Sequence, residues 1–364
     1  MVAHGTRFRG FDGFRAVSVT IVLLSHLPIA LASLGRADWY EVFPNAGFLG
    51  VNMFFVLSGF LIAHRLLATA RDDGSLRWRR FWVSRSARIL PALVAFLAVH
   101  VVYATATGFP PDGNVGDEVL MVVSSIFQFA NYAILADIDN LFDNGALWSL
   151  SVEGHFYVLA PFLVWLVARR RSAVPPGLVI LCVAVALLSW HRREVFGDLG
   201  SFSTYLRTDT RIESILIGAI GGMAFARTNI FNPRVLTALT FPAVVAMAAI
   251  YAQATQQSEF IWNWAMTLFD LCTLVVIAGL AAGSSPLTAA LEWTPLAWLG
   301  GISYAVYIWQ VPVLQLLLRH ADQWPDIVKG ACALSLIAVI SAASQRYVED
   351  PVRRSAIVSR LAGR

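Results

Sequence analysis

The sequence predicts an all-α fold, a bundle of about ten helices that crosses a membrane. Composition supports this prediction, because 57% of the 364 residues are hydrophobic and 14% are charged. Several apolar runs reach about 20 residues, the length that a helix needs to cross the hydrocarbon core of a bilayer. A mean hydropathy of +0.65 excludes an ordinary soluble domain, so the lipid bilayer is the first expected partner.

Ten apolar segments are predicted to span the membrane, within one integral-membrane domain, 1–364. Their approximate bounds are 13–34, 47–68, 88–107, 151–168, 174–190, 206–226, 235–253, 263–282, 296–318 and 326–346. Segment 118–136 is also apolar, but we predict that it is re-entrant or interfacial. This assignment puts the arginine clusters and both termini on the cytoplasmic side, as the positive-inside rule requires. We therefore expect a multi-pass protein of the cell inner (plasma) membrane.

Charge and cysteine usage narrow the function classes. The net charge of +4 does not indicate nucleic-acid binding, because the arginines cluster in loops beside apolar runs, as membrane topology requires. Cys182, Cys272 and Cys332 each lie inside an apolar run, so the sequence predicts neither a disulfide framework nor a metal site. No small-residue cleavage site follows a short apolar core near the N-terminus, so we expect that segment to belong to the mature fold.

The first span carries a histidine, His26, at a depth where a membrane helix has no structural use for one. On a helix, His26 lies about 16 Å beyond Arg15. Ionisable groups at that depth are costly and usually serve a functional site. A neutral imidazole can take a proton from an attacking hydroxyl and return it, so we predict that His26 is a general base.

The second span and the loop after it carry polar and basic residues. Asn52 and Ser58 lie among small residues in the second span, where close helix packing explains them as well as a functional site does. Segment 69–88 holds six arginines. Its last two, Arg85 and Arg88, lie one helical turn apart and suit the phosphates of a nucleotide-like donor. Anionic lipid headgroups are an equal alternative.

Glu153 lies in segment 147–157, near the outer end of the fourth span. In one interpretation, Ser149 or Ser151 caps this helix and the helix N-terminus stabilises the carboxylate of Glu153. In the other, Glu153 lies at a depth compatible with His26 and bonds to one imidazole nitrogen. That bond would leave the other nitrogen free as a base.

The sixth and ninth spans carry further polar side chains. Four charges open the sixth span, at a spacing that predicts a structural network rather than catalysis: Arg207, Asp209, Arg211 and Glu213. The ninth span combines aromatic and amide side chains with a proline kink. Aromatic residues at helical spacing pack more often than they bind substrate.

Seven motifs, in order along the chain, resemble the acyltransferase-3 family of integral-membrane acyltransferases. Members of this family modify cell-surface polysaccharides, lipopolysaccharide, signalling oligosaccharides and some macrolide antibiotics. The motifs are Phe11 to Ala16 with His26 ten intervening residues after Arg15, Gly50 to Ile62, Arg85 to Pro91, Trp148 to Tyr157, Arg211 to Gly218, Leu299 to Pro312 and Arg346 to Arg353.

The resemblance implies an acyl-CoA donor, acetyl-CoA first, that enters from the cytoplasm, and an acceptor with a hydroxyl group. It implies His26 as the catalytic base, a catalytic role for Glu153, and donor binding by Arg15, Arg85 and Arg88. The substrate-binding candidates within the motifs are Asp12, Asn52, Trp148, Ser151, Tyr304 and Trp309.

Three positions depart from the family pattern. Asn52 stands where many members have aspartate, Gly154 and His155 replace a second glutamate and a glutamine, and Gln310 stands where a histidine is frequent. These departures leave the acceptor-side contacts open. Longer members carry an extracytoplasmic esterase-like domain. Because this chain ends about a dozen residues after its last motif, we expect no such domain.

A membrane O-acyltransferase acting on a carbohydrate or glycoconjugate is the first interpretation, and acylation of a small-molecule natural product such as a macrolide is the second. A transporter or flippase of a lipid-linked glycan would also have buried charges, but it predicts repeat symmetry that the sequence lacks. A non-catalytic receptor or scaffold would tolerate loss of His26. The sequence does not predict an oligomeric state.

We predict that a reporter protein fused after Arg364 reads as cytoplasmic, because ten spans return the chain to the side on which it started. A paired alkaline phosphatase and green fluorescent protein assay measures this. An extracytoplasmic reading would contradict the prediction and would make segment 118–136 a true span.

Overall fold

The structure is a computed structural model of the chain, and it describes residues 8–31, 46–72, 76–108, 115–136, 146–168, 176–227, 232–283, 287–321 and 323–362. Every regular element within these ranges is a helix, and none is a strand. The predicted all-α fold is therefore confirmed.

The helices follow the apolar segments of the sequence. Their bounds are α1 Phe11–His26, α2 Gly47–Asp72, α3 Trp78–Thr107, α4 Val115–Ile126, α5 Ala130–Leu135, α6 Trp148–Ala168, α7 Pro176–Leu206, α8 Thr208–Arg227, α9 Pro233–Gln253, α10 Met266–Ala281, α11 Leu287–Leu291, α12 Thr294–Gly301, α13 Ser303–His320, α14 Asp326–Ser344, α15 Asp350–Arg354 and α16 Ala356–Leu361. A 3₁₀ turn, Leu27–Ile29, continues α1. Two π-helical turns, Ile261–Ala265 and Gln345–Glu349, precede α10 and follow α14.

Within the described residues, each of the ten predicted spans overlaps a helix or a helix pair; residues 32–34 and 174–175 of these spans lie outside the described residues. Within the described residues, seven helical segments are long and apolar enough to cross a membrane. An eighth candidate is the pair α12 and α13, which is bent by 72° at its junction. The predicted spans 174–190 and 206–226 fall in α7 and α8, outside these eight candidates. The prediction of a multi-pass membrane protein is therefore confirmed, but the count of ten is not.

Segment 118–136 forms two short helices, α4 and α5, instead of a spanning helix. Their 12 and 6 residues correspond to about 18 and 9 Å, less than the roughly 30 Å of a bilayer core. Gln128 adopts a left-handed conformation, with φ of 62°, in the turn between them. His100 of α3 lies 3.2 Å from Glu118 of α4. The two short helices agree with the predicted re-entrant or interfacial segment.

Helix α2 lies at the centre of the bundle. In its apolar stretch 83% of the residues are buried, against 28–56% in the other single-helix candidate spans. It packs along α8 through glycines, since a Cβ on Gly59 would overlap the Ile215 carbonyl and one on Gly218 would overlap Val56. Small residues allow this close approach between membrane helices. The other faces of α2 contact α1, α6 and α10.

We predict that Gly59→Ala destabilises the bundle by about 1–3 kcal/mol, because the added methyl group overlaps backbone that cannot rotate away. Gly197→Ala in α7 is the matched control, since nothing lies within 4 Å of its Cβ position. The thermal unfolding midpoint in detergent, followed by intrinsic fluorescence, should fall only for Gly59→Ala. Equal midpoints for the two variants would contradict the packing.

Candidate active site

An open cleft lies at one end of the bundle, where α1 begins, α2 ends and α3 begins. Its volume is about 340 Å³, open mouth included. We call it the arginine cleft and define it by its lining residues: Arg15, Phe54, Leu57, Ser58, Leu61, Ile62, Arg65, Arg85 and Arg88.

Four arginines converge on this cleft. The sequence predicts three of them, Arg15, Arg85 and Arg88, from two separate motifs, and the structure brings the three together. The fourth, Arg65, is absent from the sequence prediction. The guanidinium groups are close enough to repel one another, so a bound anion would lower the energy of the cleft. Arg65 lies seven residues beyond Ser58, and this helical spacing is the signal that could have revealed it.

Carboxylates border the arginine cleft without lining it. Asp12, a predicted substrate residue, forms a 2.5 Å ion pair with Arg15, one turn along α1. Glu349, which is buried, acts electrostatically on Arg88. Arg85 Nε is itself buried and has no hydrogen-bond partner among the described residues. The cleft therefore retains donor capacity for a ligand.

Glu153 lies on α6 beside the arginine cleft. The ring centre of Tyr157, one turn further along α6, lies 6.0 Å from Arg85 Cζ. Glu153 interacts with the Tyr157 hydroxyl and with Arg85. Among the described residues no hydrogen bond joins Glu153 to His26, so that pair stays a prediction. Among the described side chains, the cleft thus has three neighbouring carboxylates for four guanidinium groups, a surplus of positive charge.

His26 ends α1 at the far end from Arg15, and a 3₁₀ turn with Pro28 follows it. The helix between them is about 16 Å long. His26 Nδ1 is buried and has no hydrogen-bond partner among the described residues. Gln310 of α13 lies within interaction range of the imidazole. Partnerless polar atoms are rare in protein interiors, so they mark a candidate site.

Two predicted substrate residues, Asn52 and Trp148, surround a buried arginine, Arg211. Asn52 Oδ1 accepts a hydrogen bond from Arg211 Nη2 at 2.6 Å, and Asn52 Nδ2 donates to Asp270 Oδ1 at 2.9 Å. The ring centre of Trp148 lies 5.4 Å from Arg211 Cζ, a cation–π contact. The structure thus gives both residues partners inside the protein, away from the lining of the arginine cleft.

The remaining substrate candidates also lie in the interior of the helix bundle. The Tyr304 hydroxyl donates to the Ile89 carbonyl at 2.8 Å. Trp309 packs edge-on against Phe96, with 5.6 Å between ring centres, and both contacts join α13 to α3. Ser151 Oγ and Trp309 Nε1 are buried without hydrogen-bond partners in the described part of the chain. Substrate binding by these three residues stays a prediction.

Comparison with known protein families shows the family to which the chain belongs. A family model described as an acyltransferase domain matches residues 8–345, which is nearly the whole chain. This chain belongs to the acyltransferase-3 family. The helix that carries Arg15 and His26 and the helices that line the arginine cleft all lie within the matched region.

Curated members of the acyltransferase-3 family resemble the chain along almost its full length. The "Putative peptidoglycan O-acetyltransferase YrhL" of Bacillus subtilis is 29% identical over 374 residues, which cover 96% of this chain and 55% of that protein. The "Peptidoglycan O-acetyltransferase OatA" of Listeria monocytogenes is 26% identical over 370 residues, which cover 97% and 57%. The chain therefore spans little more than half the length of these relatives. No solved structure matches it at a significant level.

Gly154 and His155, one of the three departures expected from the sequence, have a structural reason. A Cβ on Gly154 would lie 2.8 Å from Gln128 Cβ, so glycine lets the turn between α4 and α5 approach α6. His155 Nδ1 lies 2.8 Å from Thr208 Oγ1, and Asn131 Nδ2 donates to the same oxygen at 3.0 Å. These residues therefore dock the α4–α5 pair onto α6 and α8.

The four charges at the start of α8 form the predicted network only in part. Arg207 pairs with Asp209 at 2.8 Å, but Glu213 pairs with the fully buried Arg192 of α7 instead of a charge on its own helix. Arg192 Nε also donates to the Trp262 carbonyl, in the π-helical turn, at 2.9 Å. Spacing along one helix cannot reveal such a contact between helices, so the sequence analysis missed Arg192.

We predict that replacing both Arg85 and Arg88 with glutamine weakens acetyl-CoA binding by at least tenfold, because each charged hydrogen bond contributes about 1.5–3 kcal/mol. Isothermal titration calorimetry in nanodiscs of neutral lipid measures the affinity. Arg79→Gln is the matched control, since Arg79 is exposed on the same helix outside the cleft. An unchanged affinity in the double variant would mean that the pair serves membrane topology or lipid binding.

Proposed function

We propose that this chain is a membrane O-acyltransferase that moves an acyl group, acetyl first, from acyl-CoA to a hydroxyl of a polysaccharide. The observation that carries the proposal is the placement of the arginine cleft and His26 at the two ends of α1, about 16 Å apart. Membership of the acyltransferase-3 family supports acyl transfer as the reaction. Relatives named as peptidoglycan O-acetyltransferases support acetyl as the group and a polysaccharide as the acceptor.

The arginine cleft is the proposed donor site. Arg15, Arg65, Arg85 and Arg88 present guanidinium groups whose paired N–H donors match phosphate oxygens. In CoA, a long pantetheine arm separates the phosphates from the thioester. Such a donor can bind its phosphates in the cleft while its thioester reaches His26 in the bundle interior. A small acyl phosphate has no comparable arm, so the separation favours acyl-CoA.

Acyl transfer at His26 requires one base and no covalent intermediate. The imidazole takes the proton of the acceptor hydroxyl while the oxygen attacks the thioester carbonyl carbon. The new C–O bond forms, the C–S bond breaks, and the proton passes from His26 to the departing thiolate, which leaves as the CoA thiol. Positioning both substrates in a water-poor interior supplies much of the rate and limits thioester hydrolysis.

Glu153 is proposed to act at the donor side of the site. Its carboxylate acts on Arg85, and Tyr157 lies against both groups. A carboxylate behind a guanidinium restricts its rotation, so the N–H groups that face the cleft keep one direction. Glu153 would then orient an arginine that contacts phosphate.

The acceptor is proposed to approach His26 from the end of the bundle opposite to the arginine cleft. Acyl-CoA is a cytoplasmic donor, so the cleft and both termini are assigned to the cytoplasmic side of the inner (plasma) membrane, in agreement with the positive-inside rule. A cell-surface polysaccharide would then meet the acyl group near the far end of α1.

We predict that His26→Ala lowers acyl transfer by about 10²- to 10⁴-fold, the contribution of a general base. Release of CoA thiol from acetyl-CoA, with peptidoglycan fragments, other glycans or a macrolide as acceptors, measures turnover in nanodiscs. His191→Ala is the matched control, since His191 is exposed and pairs with Asp209. Acetyl-CoA affinity should stay unchanged in both variants. Normal turnover by a folded His26→Ala protein would exclude His26 as the base.

A further inference from the structure

Gln310 of α13 is the polar side chain that meets His26 in the interior of the bundle. Helix α13 packs against α1, and Gln310 is fully buried. Its amide lies within interaction range of the imidazole. Gln310 Oε1 and His26 Nδ1 are both buried, and neither has a hydrogen-bond partner among the described residues. Two such atoms, on side chains within interaction range of each other, carry a free-energy cost that a functional site would explain.

The amide of Gln310 is held from its own helix. Gln310 Nε2 donates to the Tyr307 carbonyl, one turn earlier, at 3.3 Å. The Tyr307 hydroxyl in turn donates to the Ala146 carbonyl at 2.8 Å and lies 2.6 Å from Ser149 Oγ. Because Nε2 is engaged on α13, the oxygen is the end of the amide that remains available to a neighbour. An amide oxygen accepts hydrogen bonds and does not donate them, so it suits an imidazole N–H.

Within the described residues no ion pair with His26 is present, and Gln310 is a polar side chain within interaction range of the ring. A carboxylate beside an imidazole stabilises the protonated form strongly. A neutral amide fixes the orientation and the tautomer of the ring with a much smaller effect on its charge. A base with an amide partner therefore stays neutral before the reaction and gives up its proton readily afterwards.

We propose that Gln310 is the positioning residue of His26: its Oε1 accepts the N–H of one ring nitrogen and leaves the lone pair of the other nitrogen for the acceptor hydroxyl. This inference rests on the proposed function, in which His26 is the base. It gives Gln310 the role that one of the two sequence interpretations gives to Glu153.

The first test is Gln310→Met, which keeps the length of the side chain and removes the hydrogen-bond acceptor. We expect kcat for acetyl transfer to fall by 10- to 100-fold, on the order of the loss that misplacement of a catalytic group causes, while KM for acetyl-CoA is unchanged. Gln315→Met is the matched control, because Gln315 is buried on the same helix and should tolerate the change. Full activity of Gln310→Met would overturn the inference.

The second test is Gln310→Glu, which restores an acceptor and adds a charge. We expect kcat to recover at alkaline pH. A carboxylate favours the protonated imidazole, so the acidic limb of the pH–rate profile should move upward by about one pH unit or more relative to wild type. If the side chain at position 310 did not face the imidazole, this limb would stay in place, so an unshifted limb in an active Gln310→Glu protein would overturn the inference.

His26→Ala, measured in parallel, distinguishes failure of the positioning role of Gln310 from failure of His26 as the base. Loss of turnover in His26→Ala together with full turnover in Gln310→Met would refute the positioning role alone. Full turnover in His26→Ala would refute the proposed base and with it this inference. Retained acetyl-CoA binding and an unchanged thermal midpoint show that each variant is folded.

Discussion

The close contact between α2 and α8 is the constraint on which the rest of the bundle depends. Gly59, Gly218 and Gly222 remove side chains where the two helices meet, so backbone lies against backbone. In lipid, helices gain little from the hydrophobic effect, and van der Waals contact of this kind holds them together. With α2 fixed at the centre, its opposite face brings Ser58 and Arg65 to the arginine cleft, which α1 and α3 complete.

Charge compensation distinguishes the arginine cleft from the buried polar contacts elsewhere. Arg192 pairs with Glu213, and Arg211 is held by Asn52 and by aromatic rings that include Trp148. These groups have partners within the protein, as buried charges in a stable bundle require. Within the part of the chain that the structure describes, the cleft arginines outnumber the carboxylates around them. Without a ligand, this surplus of positive charge lowers the stability of the fold. A bound anionic donor would offset that loss.

The sequence predicts those features that depend on apolar length and membrane depth. These features are the apolar helices and the failure of segment 118–136 to form one long spanning helix. The resemblance to the family, rather than apolar length or depth, implied that Arg15, Arg85 and Arg88 act together. Lateral neighbours depend on which helix faces meet, and spacing along one helix does not determine them. For this reason the interaction between Gln310 and His26 is absent from the sequence predictions. The pair of Glu153 with His26 stays a prediction, and the structure gives Glu153 two neighbours, Tyr157 and Arg85.

The central claim is that one donor molecule reaches from the arginine cleft to His26. The most direct measurement is a cryo-electron microscopy structure of the protein in nanodiscs with a non-hydrolysable thioether analogue of acetyl-CoA. We expect phosphate density between Arg65, Arg85 and Arg88, and the acyl group beside His26 and Gln310. Phosphates bound outside the cleft, or an acyl group that stays at its mouth, would contradict the claim.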